Sequence, residues 1–213
     1  MAKPVIYGPA YSTFARTVRL TLEEKDADYN LVEVDILSGQ HKEPKHLARH
    51  PFGKVPAFEH DGLMLYETDA ITRYINDAFE GPDLEPANAR DRALMTQAIG
   101  IVNGYGYPCM IGQIFMQRAV MPLLGEASDE TAIETAVPEA QTCLAVLEDL
   151  IGDRAFLGGD RLSRADLLLV PIYDYLSQTP EGEKLLSGTP NLRRWWESLR
   201  TRPSVEKTKP NLG

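Results

Sequence analysis

The sequence predicts an α/β domain followed by an all-helical domain, and three observations support this class. Short β-branched runs alternate with helical patterns over residues 1–80. A polar, proline-containing stretch, EGPDLEP, then interrupts the pattern, and beyond it only helical periodicity recurs. We therefore expect one domain at residues 1–80, a linker at residues 81–87 and a helical domain at residues 88–213.

The elements of the first domain follow from local periodicity. The run Val5–Tyr7 ends at a Gly-Pro loop, and Phe14, Val18 and Leu22 then place an apolar stripe on one face of a helix. A His-Asp-Gly turn between two later apolar runs predicts a hairpin. The expected order is β-α-β-α-β-β-α, with strands at residues 5–7, 31–36, 55–60 and 63–66, helices at 13–26 and 67–79, and a short polar helix or irregular segment at 41–49.

The second domain carries signals for helix starts and ends. Thr189 followed by proline has the form of an N-cap, and the apolar residues after it share one face until Pro203. The segment from Ser163 to Asp166 has the form of a capping box, with Asp in place of the usual Glu. Glycine and proline inside a helix cost about 1 and 3 kcal/mol relative to alanine, so we expect an irregular helix over residues 104–112.

Composition and charge exclude several classes of function. A net charge of −9 and a pI near 5.0, without a basic half, disfavour a nucleic-acid partner. No stretch reaches the roughly 18 apolar residues of a membrane span, and the first residues lack a signal-peptide pattern, so we expect a cytoplasmic protein. Cys109 and Cys143 have no His or Cys at metal-ligand spacing, so we expect no metal and two reduced, buried thiols.

Five segments, taken together and in order, resemble the soluble glutathione transferases, in particular the serine-type branch with the phi class and its bacterial relatives. They are YGPAYSTFARTV, LEEKDADYNLVEVDILSGQHKEP, HPFGKVPAF, LYETDAITRYI and LSRADLLLVP. The match is nearly continuous over residues 5–80 and thinner to about residue 200. This resemblance implies a thioredoxin-like first domain that binds glutathione as a co-substrate, and a helical domain that lines the site of an apolar electrophile.

The resemblance also implies an activity and an assembly. We expect a homodimeric, cytoplasmic glutathione transferase that conjugates the glutathione thiolate to electrophiles, as in detoxification. Two alternatives stay open at this point. One is a glutathione-dependent peroxidase, in which the same thiolate attacks a hydroperoxide. The other is a catalytically idle, transferase-like module used for binding or dimerisation.

Conjugation requires a thiolate, and the resemblance assigns its stabilisation to Ser12, between the first strand and the first helix. A serine at this place is, by itself, more often a helix N-cap. Thr13 would replace Ser12 if the loop register shifted by one residue. Tyr7 is the second alternative, because tyrosine-type branches place their hydroxyl at the end of the first strand. No cysteine precedes Cys109, which excludes the cysteine-type branches.

Glutathione carries two carboxylates and an ammonium group, so its site needs cations at one end and a carboxylate at the other. The resemblance implies these binding residues: His41, Lys42, Lys54, Val55, Pro56, Glu67 and Thr68. The turn at Val55-Pro56 is expected to contain a cis peptide bond, whose base rate is only about 5–6% for X-Pro. Lys54 stands where the family usually has glutamine, and Thr68 where it usually has serine. A solvated loop at His41-Lys42 and an ordinary acidic first turn at Glu67 are the alternatives.

The electrophile and the dimer partner are less readable from the sequence. Similar transferases line the electrophile site with residues that correspond to Tyr11, Tyr107, Ile111 and Phe115, although core packing is the more common role for each of these side chains taken singly. Phe52 is a large apolar residue on a Pro-Gly loop. In similar transferases it enters an apolar pocket of the partner subunit, and the alternative is that it anchors its own loop.

Overall fold

The computed structural model describes residues 2–210, which divide into two compact units. The first unit joins the residues up to Asp83 with those from Thr201 onward, and the second is Leu84–Arg200. The first unit begins with β1 (Val5–Tyr7), α1 (Thr13–Glu24), β2 (Asn30–Val32), a 3₁₀ turn (Gln40–Lys42), α2 (Pro44–Leu47), β3 (Ala57–His60), β4 (Leu63–Tyr66) and α3 (Thr68–Ala78). The predicted element order and the thioredoxin-like class are confirmed.

The sheet of the first unit has the strand order β2-β1-β3-β4. Strand β1 pairs in parallel with β2 and antiparallel with β3, and β3 and β4 form the predicted hairpin. Ile6 of β1 lies opposite Phe58 of β3, and both side chains are fully buried. One sheet face therefore packs on α1 and α3, through Val18, Leu22, Ile71 and Ile75.

Strand β2 is shorter than predicted. It ends at Val32, although Val34 beyond it is buried. The reason lies at Asp35, whose carboxylate accepts hydrogen bonds from the backbone amides of Leu37 (2.9 Å) and Ser38 (3.2 Å). Such a side-chain turn gives the backbone an alternative to the strand ladder, so the chain leaves the sheet early.

The second unit is helical, as predicted. Its elements are α4 (Ala89–Ile101), π-helical turns (Val102–Gly106), α5 (Tyr107–Cys109), a longer π-helical stretch (Met110–Val120), α6 (Met121–Leu123), α7 (Glu130–Ile151), α8 (Arg164–Leu176), α9 (Pro180–Ser187) and α10 (Pro190–Leu199). Among the described residues its only β-type pairing is one bridge between Phe156 and Gly159. The glycine-containing and proline-containing stretch is irregular, as expected, because it opens into π-helical turns.

The capping box at the start of α8 is present. The Ser163 hydroxyl and amide both donate to the Asp166 carboxylate, at 2.6 and 2.9 Å, and the indole of Trp195 donates to it at 2.8 Å. Thr189 does occupy the cap position of α10, but its hydroxyl donates back to the carbonyl of Leu186 (3.0 Å) instead of capping the helix. Helix α8 is thus fixed at its start by a buried, fully engaged carboxylate.

Both cysteines are buried and unpaired, as the sequence predicts. Burial raises the pKa of Cys109 to about 11 and that of Cys143 to about 12. At neutral pH both groups are therefore protonated thiols of low reactivity.

The last helix, α11 (Pro203–Thr208), groups with the first unit. Arg202 donates twice to the Glu24 carboxylate, both times at 2.6 Å, and the buried guanidinium of Arg16 donates to the carbonyl of Val205 at 3.3 Å. Helix α11 is therefore held along α1. Within residues 2–210, none of the helices combines the length and the apolar character that crossing a membrane requires.

Candidate functional site

Ser12 lies where β1 gives way to α1. The Gly8 amide donates to the carbonyl of Val32 (3.0 Å), and the Ser12 amide donates to that of Pro9 (3.1 Å), which together shape the loop between the two elements. Ser12 is the N-cap of α1, and its Oγ accepts a hydrogen bond from the Ala15 amide at 3.3 Å. Because the oxygen serves as acceptor in this cap, the hydroxyl hydrogen stays available to donate to a ligand. The cap and the ligand contact are therefore compatible in one residue.

The two alternatives to Ser12 are placed less favourably. The Tyr7 hydroxyl donates to the Glu59 carboxylate at 2.7 Å, and the Arg49 guanidinium lies 4.1 Å from the centre of its ring. Burial, followed by the bond to Glu59, raises the pKa of Tyr7. Its proton is thus committed to a neighbouring carboxylate. Thr13, the first residue of α1, is only 5% exposed.

The Val55-Pro56 peptide bond is cis and lies beside the Ser12 loop. Gly8 shows how close these segments are, since a Cβ at this position would lie 3.3 Å from the Cβ of Val55 and 3.4 Å from that of Ala15. Only a residue without a side chain fits this approach without displacing a neighbour. The structure therefore places the Val55-Pro56 turn against the start of the loop that leads to Ser12.

Glu67 precedes α3 in an unusual backbone conformation. Its φ and ψ are 70° and 112°, and its side chain is exposed, whereas Thr68 behind it is buried. A positive φ outside the left-handed helical region costs a non-glycine residue about 1–3 kcal/mol, and such residues concentrate at functional sites. The side chain of Glu67, the N-cap residue of α3, does not cap this helix, and a helix N-terminus is suited to hold an anion.

The loop before Lys54 passes close to the 3₁₀ turn that contains His41 and Lys42. A Cβ on Gly53, whose φ is +55°, would lie 2.9 Å from both the carbonyl oxygen of His41 and the Cδ of Lys42. The carbonyl of Lys54 is bonded to His46 Nε2 at 2.7 Å. These contacts hold the 3₁₀ turn against the loop that carries Lys54. Both lysine side chains are exposed, and burial, then the charge of Lys42, lowers the pKa of His41.

The residues predicted for the electrophile are divided between the two units. Tyr107, Ile111 and Phe115 follow one another at four-residue spacing along one helical segment, and the last two are buried. Phe115 stacks on Tyr175 of α8, with ring centroids 4.4 Å apart and planes 4° from parallel. One face of the Phe115 ring is thus covered by packing inside the unit. Tyr11 belongs to the Ser12 loop, and burial, then the charge of Asp35, raises its pKa.

Phe52 is 66% exposed. Its ring meets the rings of His50 and Tyr66 edge-on, with centroids 6.3 and 6.2 Å away, while His50 and Tyr66 lie 4.9 Å apart. Within the first unit, His50 and Tyr66 contact the Phe52 ring, but most of its surface stays exposed. A role as an anchor of its own loop explains the part of the side chain that these contacts cover and does not explain why the rest is exposed.

Sequence reasoning missed several residues that shape the site. Glu59 and Arg49 decide the state of Tyr7, and His46 fixes the loop that ends at Lys54. The register between β1 and β3, in which Val5 lies opposite Glu59, puts Tyr7 on the same sheet face as Glu59, but it joins segments that are distant in sequence. No signal in the sequence marked this pair or the contact between His46 and the Lys54 carbonyl.

Comparison with known proteins agrees with this arrangement. Residues 5–77 match the family model for the glutathione S-transferase N-terminal domain, and residues 107–203 match the one for the C-terminal domain. Glutathione S-transferase F13 of Arabidopsis thaliana is 34% identical over 209 residues, which cover 97% of this chain and 95% of that protein. The chain belongs to the glutathione S-transferase family. Its predicted resemblance to the serine-type, phi-like branch is confirmed by these F-type relatives.

Solved structures extend the likeness to three dimensions. Glutathione transferase F7 from Populus trichocarpa superposes with a TM-score of 0.87 at 34% identity, covering 96% of this chain and 97% of its own. Maize glutathione S-transferase I, in complex with an atrazine glutathione conjugate, gives a TM-score of 0.85 at 30% identity, with 97% and 96% covered.

Proposed function

We propose that this protein conjugates glutathione to apolar electrophiles and that Ser12 donates a hydrogen bond to the glutathione thiolate. The observation that carries the proposal is the geometry of Ser12, whose oxygen caps α1 while its hydrogen remains free to donate. The maize relative with a bound glutathione conjugate supports the same reaction. The contrast with Tyr7, whose hydroxyl is bonded to Glu59, favours serine as the donor.

The energetics of thiolate formation suit this site. A free thiol has a pKa near 8.5, and lowering it by about two units requires about 2.7 kcal/mol of preferential anion stabilisation. A hydroxyl that donates to a charged sulfur contributes roughly 1.5–3 kcal/mol. The N-terminus of α1 adds about 0.3–1 kcal/mol. The two contributions suffice without a metal.

The remaining polar groups match the ends of glutathione. The amides at the start of α3 suit the γ-glutamyl carboxylate, and the Glu67 carboxylate suits the neighbouring ammonium group. His41, Lys42 and Lys54 suit the glycyl carboxylate, and the close approach of Gly53, next to Lys54, to His41 and Lys42 supports this assignment. The backbone of Val55, before Pro56, suits the cysteinyl part. Thr68, the first residue of α3, stays among the expected binding residues.

The electrophile site and the assembly belong to the same proposal. Tyr11, Tyr107, Ile111 and Phe115 remain its expected electrophile-binding residues. A homodimer that uses Phe52 is favoured by the exposure of this ring on a firm aromatic support. Two protonated, unpaired cysteines suit a cytoplasmic protein, where detoxification of electrophiles takes place.

A product screen tests the activity. The protein is incubated with glutathione and, separately, an aryl halide, an epoxide, a Michaelis acceptor and an organic hydroperoxide, and products are identified by mass spectrometry. We expect thioether conjugates at rates above the uncatalysed reaction. Reduction of the hydroperoxide to its alcohol and water, with glutathione disulfide as the only product that contains glutathione, would favour the peroxidase instead. Glutathione binding without any turnover would identify an idle module.

A further inference from the structure

We infer that Arg19 is a positioning residue for the proposed reaction, because it connects the loop that presents Ser12 to the C-terminal helix α11. This inference rests on the proposed role of Ser12. Arg19 lies in the middle of α1, seven residues after Ser12, and its side chain reaches back along the helix. It does not touch the reacting atoms in this proposal, so it acts through the loop.

The guanidinium of Arg19 makes three hydrogen bonds to three separate segments. Its Nη1 donates to the carbonyl of Ala10 at 3.4 Å and to the carbonyl of Thr208 at 3.1 Å, and its Nε donates to the Tyr29 hydroxyl at 3.2 Å. The planar guanidinium holds its donors in a fixed fork, so partners bonded to it are fixed relative to one another. Ala10 belongs to the Ser12 loop, and Thr208 is the last residue of α11.

Two backbone hydrogen bonds fix the start of the Ser12 loop and the turn that contains Ser12. The Gly8 amide ties its start to β2, and the Ser12 amide closes a turn onto Pro9. Arg19 adds a hold on the Ala10 carbonyl, between these two points and two residues before Ser12. Without the guanidinium the middle of the loop loses a contact to the body of the unit. The direction of the Ser12 hydroxyl then varies more, even though the cap to Ala15 remains.

Helix α11 is a suitable anchor for Arg19. A helix leaves its last carbonyls without partners inside the helix, and its C-terminal end carries partial negative charge, so a guanidinium is well placed at Thr208. The helix is itself fastened to α1 by Arg16, which bonds the carbonyl of Val205, and by the pair of Arg202 with Glu24. Through Arg19, helix α11 is thereby connected to the loop that presents Ser12.

The experiment compares Arg19→Met, Arg19→Lys and Tyr29→Phe with the wild type. Methionine keeps the length of the aliphatic stem but removes all three bonds. Tyr29→Phe is the matched control, because it removes the bond to Nε and leaves those to Ala10 and Thr208. The readouts are the pH dependence of kcat/KM for the electrophile at saturating glutathione, the KM for glutathione and the unfolding midpoint in denaturant.

Misplacing a catalytic group by about 1 Å can cost up to about a hundredfold in rate, so partial loosening predicts a smaller loss. For Arg19→Met we expect kcat/KM at pH 7 to fall by about 3- to 10-fold, with the midpoint of the pH profile shifted upward, and the KM for glutathione to change by less than about twofold. Tyr29→Phe should keep the wild-type midpoint. Arg19→Lys, with one donor group in place of the fork, should lie between.

Three results would overturn the inference. The first is a wild-type pH midpoint in Arg19→Met, since a purely structural role changes stability without moving the titration. The second is full recovery in Arg19→Lys, which would assign the effect to charge alone. If Arg19→Met does not fold, the intermediate midpoint of Arg19→Lys is the deciding result. The third is an unchanged pH profile in Ser12→Ala, which would refute Ser12 as the donor and therefore this inference as well. If the pH profile shifts in Ser12→Ala but not in Arg19→Met, this inference fails and the proposed function stands.

Discussion

Replacing Phe52 by alanine tests the proposed homodimer. Fully burying a phenylalanine side chain contributes about 1.5–3 kcal/mol. The ring is 66% exposed in the first unit, and only this fraction can be newly covered by a partner, which leaves about 1–2 kcal/mol for each site. A two-fold interface uses the residue twice, so Phe52→Ala should weaken the dimer by about 2–4 kcal/mol if the sites add. The dissociation constant then rises by about 30- to 900-fold.

Analytical ultracentrifugation over a dilution series measures this change. Leu123→Ala is the matched control, because Leu123 is 74% exposed and belongs to the second unit, not to the aromatic cluster of Phe52. We expect the control to keep the wild-type dissociation constant and Phe52→Ala to release monomer at higher concentrations. A monomeric wild type would refute the dimer. A dimer constant that Phe52→Ala leaves unchanged would return the ring to the role of a loop anchor.

Three further predictions concern the binding site, the rejected donor and stability. Glu67→Gln should weaken glutathione binding by about 1–3 kcal/mol in calorimetry, through loss of a charge-assisted partner, and wild-type affinity would make Glu67 a surface residue. Tyr7→Phe should leave kcat within about twofold of wild type, because its hydroxyl is already committed to a carboxylate, and a loss above tenfold in steady-state rates would argue for tyrosine as the donor. Arg118 forms ion pairs with Glu130 and Glu181 and holds the pKa of both carboxyl groups below the usual 4.5. The contribution of these ion pairs to stability is therefore present above about pH 4.5 and is lost as pH falls through the lowered pKa values. In denaturant titrations, the difference in unfolding free energy between wild type and Arg118→Gln should therefore shrink from pH 7 to pH 3, and a constant difference would contradict the assignment.

The sequence predicted those features of the fold that depend on neighbouring residues. The stripe with Val18 and Leu22, the hairpin turn and the capping box at Ser163 are local patterns, and each occurs in the structure. The prediction that β2 extends to residue 36 was wrong, because the turn at Asp35 competes with strand pairing. That competition depends on a hydrogen-bond choice that hydropathy does not encode.

The contacts that organise the candidate site join distant parts of the chain. Tyr7 and Glu59 are 52 residues apart, and Arg19 and Thr208 are 189 residues apart. Periodicity within a short window contains no information about such pairs, so the state of the Tyr7 hydroxyl and the role of Arg19 emerged only from the structure. The family resemblance pointed to Ser12, but the reason why serine is free to donate is geometric.

The role of Ser12 is tested by titrating the thiolate absorbance of bound glutathione in wild type and in Ser12→Ala. We expect a bound-thiol pKa about two units below the free value in the wild type, and a rise of about one to two units in Ser12→Ala, as loss of a roughly 1.5–3 kcal/mol hydrogen bond requires. Glutathione affinity should be largely kept, because Ser12 contacts only the sulfur in this proposal. A bound-thiol pKa that is the same in both proteins would contradict the claim that Ser12 stabilises the thiolate.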